Sequence, residues 1–129
     1  MVIDTSALIA ILGDEPERRA FIEKIEAADT RLISAVTFVE TSIILEARHG
    51  AEGPRHFDLF LDRAGIEIAP VDHEQAREAR LGFSRFGKGR HPAGLNFGDC
   101  FPYALAVTAG EPLLFKGNDF ANTDIVSAV

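Results

Sequence analysis

MVIDTSALIAIL, residues 1–12, sets an apolar pair, an acid, two hydroxyl residues and an apolar run side by side. Val2 and Ile3 read as a strand that stops at Asp4. Thr5 and Ser6 then stand where a helix running from Ala7 to about Leu12 needs a cap, because their side-chain oxygens accept backbone N–H bonds at a helix start. Strand, turn and helix in twelve residues is the opening unit of an α/β chain, and the rest of the sequence repeats it. Asp14 to Ala28 carries Phe21, Ile22 and Ile25 at helical spacing, and RLISA from Arg31 is a short strand pattern. VTFVETSIILEARHG is a helix stopped by Gly50, and a further amphipathic helix spans about Arg55 to Ala64. IEIAPV reads as a strand, and DHEQAREARLGFSRFG as an Asp-capped helix ending at glycine. Asp99 to Ala109 is helical, PLLF is a strand and DIVSAV a final short one. Strands separated by helices predict a single α/β domain over residues 1–129, with a mainly parallel central sheet flanked by helices on both faces. Ligands in such folds sit beyond the carboxyl ends of the strands, where Asp4 and Asp119 both fall.

Composition narrows the class. With 129 residues, 47% hydrophobic and 26% charged, the chain has the make-up of one ordinary globular domain. Its single cysteine, Cys100, excludes an internal disulfide and a cysteine-based zinc cluster. The start of the chain has no basic leader, and no apolar stretch approaches the roughly 18 residues of a membrane span. The expectation is a soluble, cytoplasmic protein with no membrane partner. A net charge of -7 argues against general affinity for polyanions. Yet Leu81 to Gly98 contains no acid and gathers Arg85, Lys88, Arg90 and His91, a local surface for phosphates or simply a solvated loop.

Three acids stand in unusual places. On a helix, Glu40 falls between Val36, Ile43, Ile44 and Ala47, in an apolar stripe where a lone carboxylate needs a partner. Within GLNFGDCFPYALA, residues 94–106, Asp99 opens an apolar helix, where capping alone would account for it. Asn96 is read first as a helix cap, with support of a ligand near Asp99 as the alternative, and Pro102 predicts a late helix start or a kink. A hard divalent cation such as magnesium takes carboxylate oxygens and waters, so one cation would satisfy Asp4, Glu40 and Asp99 together. The four histidines show no metal-ligand spacing, which disfavours zinc.

MVIDTSALIAIL, SAVTFVETSIIL and GLNFGDCFPYALA resemble, in order and spacing, the three acidic motifs of the PIN-domain family, and more narrowly the VapC-type toxins of bacterial toxin–antitoxin pairs. The resemblance covers essentially the whole chain. It implies a three-layer PIN-like domain, a magnesium- or manganese-dependent endoribonuclease, a VapB-like antitoxin partner and a homodimer. It places the metal ligands at Asp4, Glu40 and Asp99, with Thr5 or Ser6 supporting the first. The chain departs from the family at the fourth acid, because the usual place after the last core strand reads Phe115, Lys116, Gly117. Asp119 is the nearest replacement and is preferred to Asp124, which flanks the final apolar run. The implied chemistry is hydrolysis of RNA phosphodiesters, with Glu40 and Asp119 both candidates for positioning the attacking water. Arg85, Lys88, Arg90 and Lys116 are the candidate RNA contacts.

Two competing readings predict different residues. A receiver-like signalling domain also has a lysine after a late strand, but its phospho-accepting acid should follow a mid-chain strand, whereas Asp58 and Asp62 lie in a helical pattern. A phosphatase of the Asp-x-Asp type lacks its second acid in DTS. A non-catalytic module of the same fold gives no reason for the acids.

Overall fold

The computed structural model describes residues 1–129. At its centre is β1 (Val2–Ile3), hydrogen-bonded in parallel to β2 (Leu32–Ser34) on one side and to β4 (Leu113–Leu114) on the other. β3 (Glu67–Ala69) extends the sheet beyond β2, giving the order β3-β2-β1-β4, all parallel. Val2 pairs with Leu32 and Leu113, and Ile3 with Leu114.

Successive residues of a strand face opposite sides of a sheet, so these short strands divide the interior in two. Ile3, Ile33 and Leu114 point into a core shared with Leu8, Ile11, Leu45 and Phe57. Val2 and Leu113 point the other way, toward Leu95, Tyr103, Leu105 and Phe120. The first core is covered by α1 (Thr5–Leu12), α2 (Arg18–Ala27), α3 (Ala35–His49) and α4 (Glu52–Ala64). The second lies under α5 (His73–Phe86) and α6 (Cys100–Ala109). Both faces of β1 are therefore dry, and its two residues are fully buried. The result is the expected three-layer arrangement, and no helix is long and apolar enough to cross a membrane.

Several boundaries differ from expectation, each for a local reason. α1 begins at Thr5 because Asp4 itself is the cap, accepting the Ser6 N–H, so Thr5 and Ser6 sit inside the helix. α2 starts only at Arg18, after Asp14 takes a left-handed backbone with φ 53. α4 reaches back to Glu52, since Pro54 occupies its first turn, where no N–H is required. Pro102 is accommodated in the same way as the third residue of a late-starting α6. The terminal DIVSAV is not a strand. It contributes one bridge, in which Leu113 donates to the Val126 carbonyl and accepts from Ala128 N, each at 2.9 Å.

Candidate active site

Four segments meet at the carboxyl ends of β1 and β4. Asp4 follows β1 and is 4% exposed. Its backbone N–H donates to the Leu114 carbonyl at 2.9 Å, and its Oδ2 accepts from Ser6 N at 3.0 Å and Ser6 Oγ at 2.6 Å. Ser6 Oγ in turn accepts from the Lys116 N–H at 2.9 Å, which ties the segment after β4 to the start of α1. Glu40 arrives from α3. Its Oε1 accepts from Thr5 Oγ1 at 2.6 Å, and Thr41 Oγ1 donates to the same Thr5 hydroxyl at 3.2 Å. The loop before α6 backs against the other oxygen, so closely that a Cβ on Gly98 would overlap Glu40 Oε2.

Asp99 faces the cleft from a turn that Asn96 caps. Its N–H donates to Asn96 Oδ1 and its Oδ2 accepts from Asn96 N, each at 3.0 Å, a reciprocal pair of the capping-box kind. The same carboxylate lines an open cleft of about 510 Å³ together with Asp4, Glu40, Asp119 and Asn96. Burial pushes the Asp99 carboxyl up to about 6, against the lowering bond from Asn96, and Asp4, Asp119 and Glu40 raise it further. Asp4 is raised as well, first by burial and also by Glu40, with the Ser6 bonds opposing. Asp124 is elsewhere: it accepts from the Tyr103 hydroxyl at 2.8 Å and lies 3.6 Å from the Arg85 guanidinium. Cys100 is buried beside Asp99, and burial followed by that carboxylate pushes its thiol up to about 11, which removes it as a nucleophile.

The donor set consists of carboxylate oxygens, the ligands of a hard divalent cation. No three of them already converge as a closed metal-ligand group. The fit to such a cation therefore rests on the chemistry of the donors rather than on a formed ligand set. Burial disfavours the ionised forms of Asp4 and Asp99, a cost that a bound cation would offset.

One expectation needs correction. The apolar stripe around Glu40 is not the core side of α3. Thr37, Thr41 and Leu45 are its buried residues, while Val39 is 54% and Ile43 62% exposed. Short threonines let α3 approach closely, and the Thr41 hydroxyl is satisfied by Thr5, so Glu40 stands half-buried at the cleft edge rather than inside the core. Lys116 lines the cleft, its ammonium paired with Glu15 and, at 3.3 Å, with Glu17. Arg85, Lys88 and Arg90 lie outside the cleft: Arg85 is engaged by Asp124 and the Phe86 ring, and Arg90 by the Phe83 ring. Arg48 and Glu15 line the cleft and were not anticipated. The spacing of Arg48, eight residues beyond Glu40 on one helix face, was the available signal.

The raised carboxyls set a pH dependence. A carboxyl whose folded value exceeds its unfolded one contributes stability that is complete below the unfolded value and lost as pH rises through the folded value. For Asp99 that loss builds up from the ordinary carboxyl value of 3.8 and is complete once pH has passed about 6. In chelator, wild-type protein should therefore melt at steadily lower temperature from about pH 4 to 6 and level off above, and Asp99→Asn should flatten the decline. Identical pH profiles of melting temperature for the two proteins would refute this.

Comparison with known proteins agrees with the geometry. The PIN domain family matches residues 1–126. Ribonuclease VapC30 of Mycobacterium tuberculosis is 51% identical over 127 residues, covering 98% of this chain and 97% of its own. Among solved structures, the Mycobacterium tuberculosis toxin VapC20, described as cleaving the sarcin–ricin loop, superposes with TM-score 0.77 at 16% identity, over 97% of this chain and 95% of its own. A toxin–antitoxin complex from Klebsiella pneumoniae gives TM-score 0.73 at 19% identity, over 99% and 97%. The chain belongs to the PIN domain family, among its VapC ribonucleases.

Proposed function

We propose that the protein is a magnesium- or manganese-dependent endoribonuclease and the toxin of a toxin–antitoxin pair, working in the cytoplasm and silenced by a VapB-like antitoxin. The gathering of Asp4, Glu40, Asp99 and Asp119 from four chain segments around one cleft carries this reading. Asp4, Glu40 and Asp99 would hold the cation, with Asp119 as the fourth acid. When bound, the cation supplies charge stabilisation to the phosphate and an activated water. Ser6 fixes the Asp4 carboxylate, Thr5 fixes Glu40, and Asn96 fixes Asp99, so the acids enter the reaction already oriented. Water oxygen attacks phosphorus and the bond to the leaving oxygen breaks. Glu40 or Asp119 would accept the water proton, and the leaving oxygen would take a proton from solvent water to depart as a hydroxyl. An RNA pool incubated with the protein and magnesium or manganese should be cut, and chelator should stop it. Cleavage indifferent to chelator would overturn the metal-dependent reading.

A homodimer belongs to the same proposal. Val39, Ile43 and Phe97, the last 74% exposed, border one apolar hollow beside Glu40 and Gly98. Exposed apolar surface of this kind marks an interaction site, and a second copy covering it would stand next to the cleft. Ile43→Glu should shift the sedimenting species from dimer to monomer, because it would bury an unpaired carboxylate at the contact. A dimer that survives Ile43→Glu places the interface elsewhere.

A further inference from the structure

The cleft is lined by five acids, Asp4, Glu15, Glu40, Asp99 and Asp119, and by only two cations. A cation shared by the inner acids offsets part of that charge at the scissile phosphate, but neighbouring phosphates of an RNA strand would still meet net negative surface. Lys116 offers them little, being held by Glu15 and Glu17. Arg48 is different: it has no ion-pair partner anywhere in the protein. It is also aimed along the cleft by its helix. Glu40, Ile44 and Arg48 recur every four residues on one face of α3 and all line the cleft, which sets Arg48 about 12 Å along the helix axis from Glu40.

We infer that Arg48 binds a phosphate of the RNA substrate away from the scissile bond, and so fixes the direction in which the strand crosses the carboxylates. The inference rests on the ribonuclease reading of the cleft. A guanidinium suits the role because its planar fork donates to two phosphate oxygens at once and stays charged at all working pH. The separation from Glu40 is too long for the phosphate being cut and suits one further along the strand. An acidic peptide would meet the same row of carboxylates without sharing their cation, which favours RNA as the occupant. Arg48 also lies in the last turn of α3, where a cation favours the helix dipole. That role would show in the melting temperature and not in RNA affinity.

The test separates these outcomes. Binding of a labelled single-stranded RNA is measured in magnesium at several salt concentrations on an Asp99→Asn background, within a time too short for its slowed turnover to cut the strand. Adding Arg48→Gln should weaken binding about tenfold, the loss expected for a hydrogen-bonded charge. It should also lower the slope of log affinity against log salt by about 0.7, the share of one phosphate contact on a single strand. Arg48→Lys should keep the slope, and Arg55→Gln, on α4 outside the cleft and paired with Glu52, should change neither quantity. Affinity and slope unaltered by Arg48→Gln would overturn the inference, as would a loss confined to melting temperature, to capture of an acidic antitoxin, or shared equally by Arg55→Gln. Failure of unmutated protein to cleave RNA would instead count against the ribonuclease reading, since this binding measurement needs no turnover.

Discussion

Asp99→Asn protein should fold, melt cooperatively and cleave RNA about a thousandfold more slowly than wild type, the equivalent of several kcal/mol of metal-derived charge stabilisation. The substitution keeps the shape of the side chain, and an amide oxygen at the same place still accepts the Asn96 N–H, so the start of α6 survives. What disappears is the negative charge that a hard cation prefers. Stability should not suffer, because burial and the three neighbouring acids already disfavour the ionised Asp99. Asp4→Asn should lose activity to a similar degree. Its fold is at greater risk, because Asp4 caps α1 and accepts two bonds from Ser6. Asp99→Asn is therefore the cleaner experiment. Initial rates on an RNA pool across a magnesium titration decide it. A variant that regains wild-type rates at saturating magnesium would have lost affinity alone, and one unaffected throughout would remove Asp99 from the site.

How the site was legible in the sequence differs from residue to residue. Asp4 was readable because a strand end and a helix start enclose it within a few residues, and the alternation of strands and helices sufficed for the layers. The strands themselves are so short, two residues each for β1 and β4, that their pairing depends on the whole sheet rather than on local propensity. DIVSAV looked equally strand-like and makes one bridge, since no neighbouring strand continues beside it. Glu40 was singled out by an argument from core burial that the fold does not support. α3 turns Thr37, Thr41 and Leu45 inward, which a hydropathy pattern does not reveal because close packing selected small residues there. The choice between Asp119 and Asp124 depends on contacts distant in sequence: Tyr103 and Arg85 draw Asp124 away from the cleft, while Asp119 faces Asp99 across it. Arg48 escaped notice because an arginine near a helix end is ordinary until the fold sets it beside five carboxylates.

Gly98→Ala should abolish most activity while leaving the fold almost untouched, which makes it the most economical probe of Glu40. Gly98 is not in the left-handed region, so alanine is conformationally allowed there. The added Cβ would nevertheless overlap Glu40 Oε2 and approach Cδ to 3.0 Å. The obstructed group is the end of a flexible side chain, which swings aside at the cost of its bond from Thr5, about 1 kcal/mol for one hydrogen bond. For catalysis the same displacement is severe, since moving a reacting group by about 1 Å costs on the order of a hundredfold in rate. Gly98→Ala should therefore match Glu40→Gln in rate and stay within a few degrees of wild type in melting temperature. Combining the two substitutions should add little, because both remove the same carboxylate from the same place. Wild-type rates in Gly98→Ala would mean that Glu40 works from another position, and an additive double variant would mean that the two residues act separately.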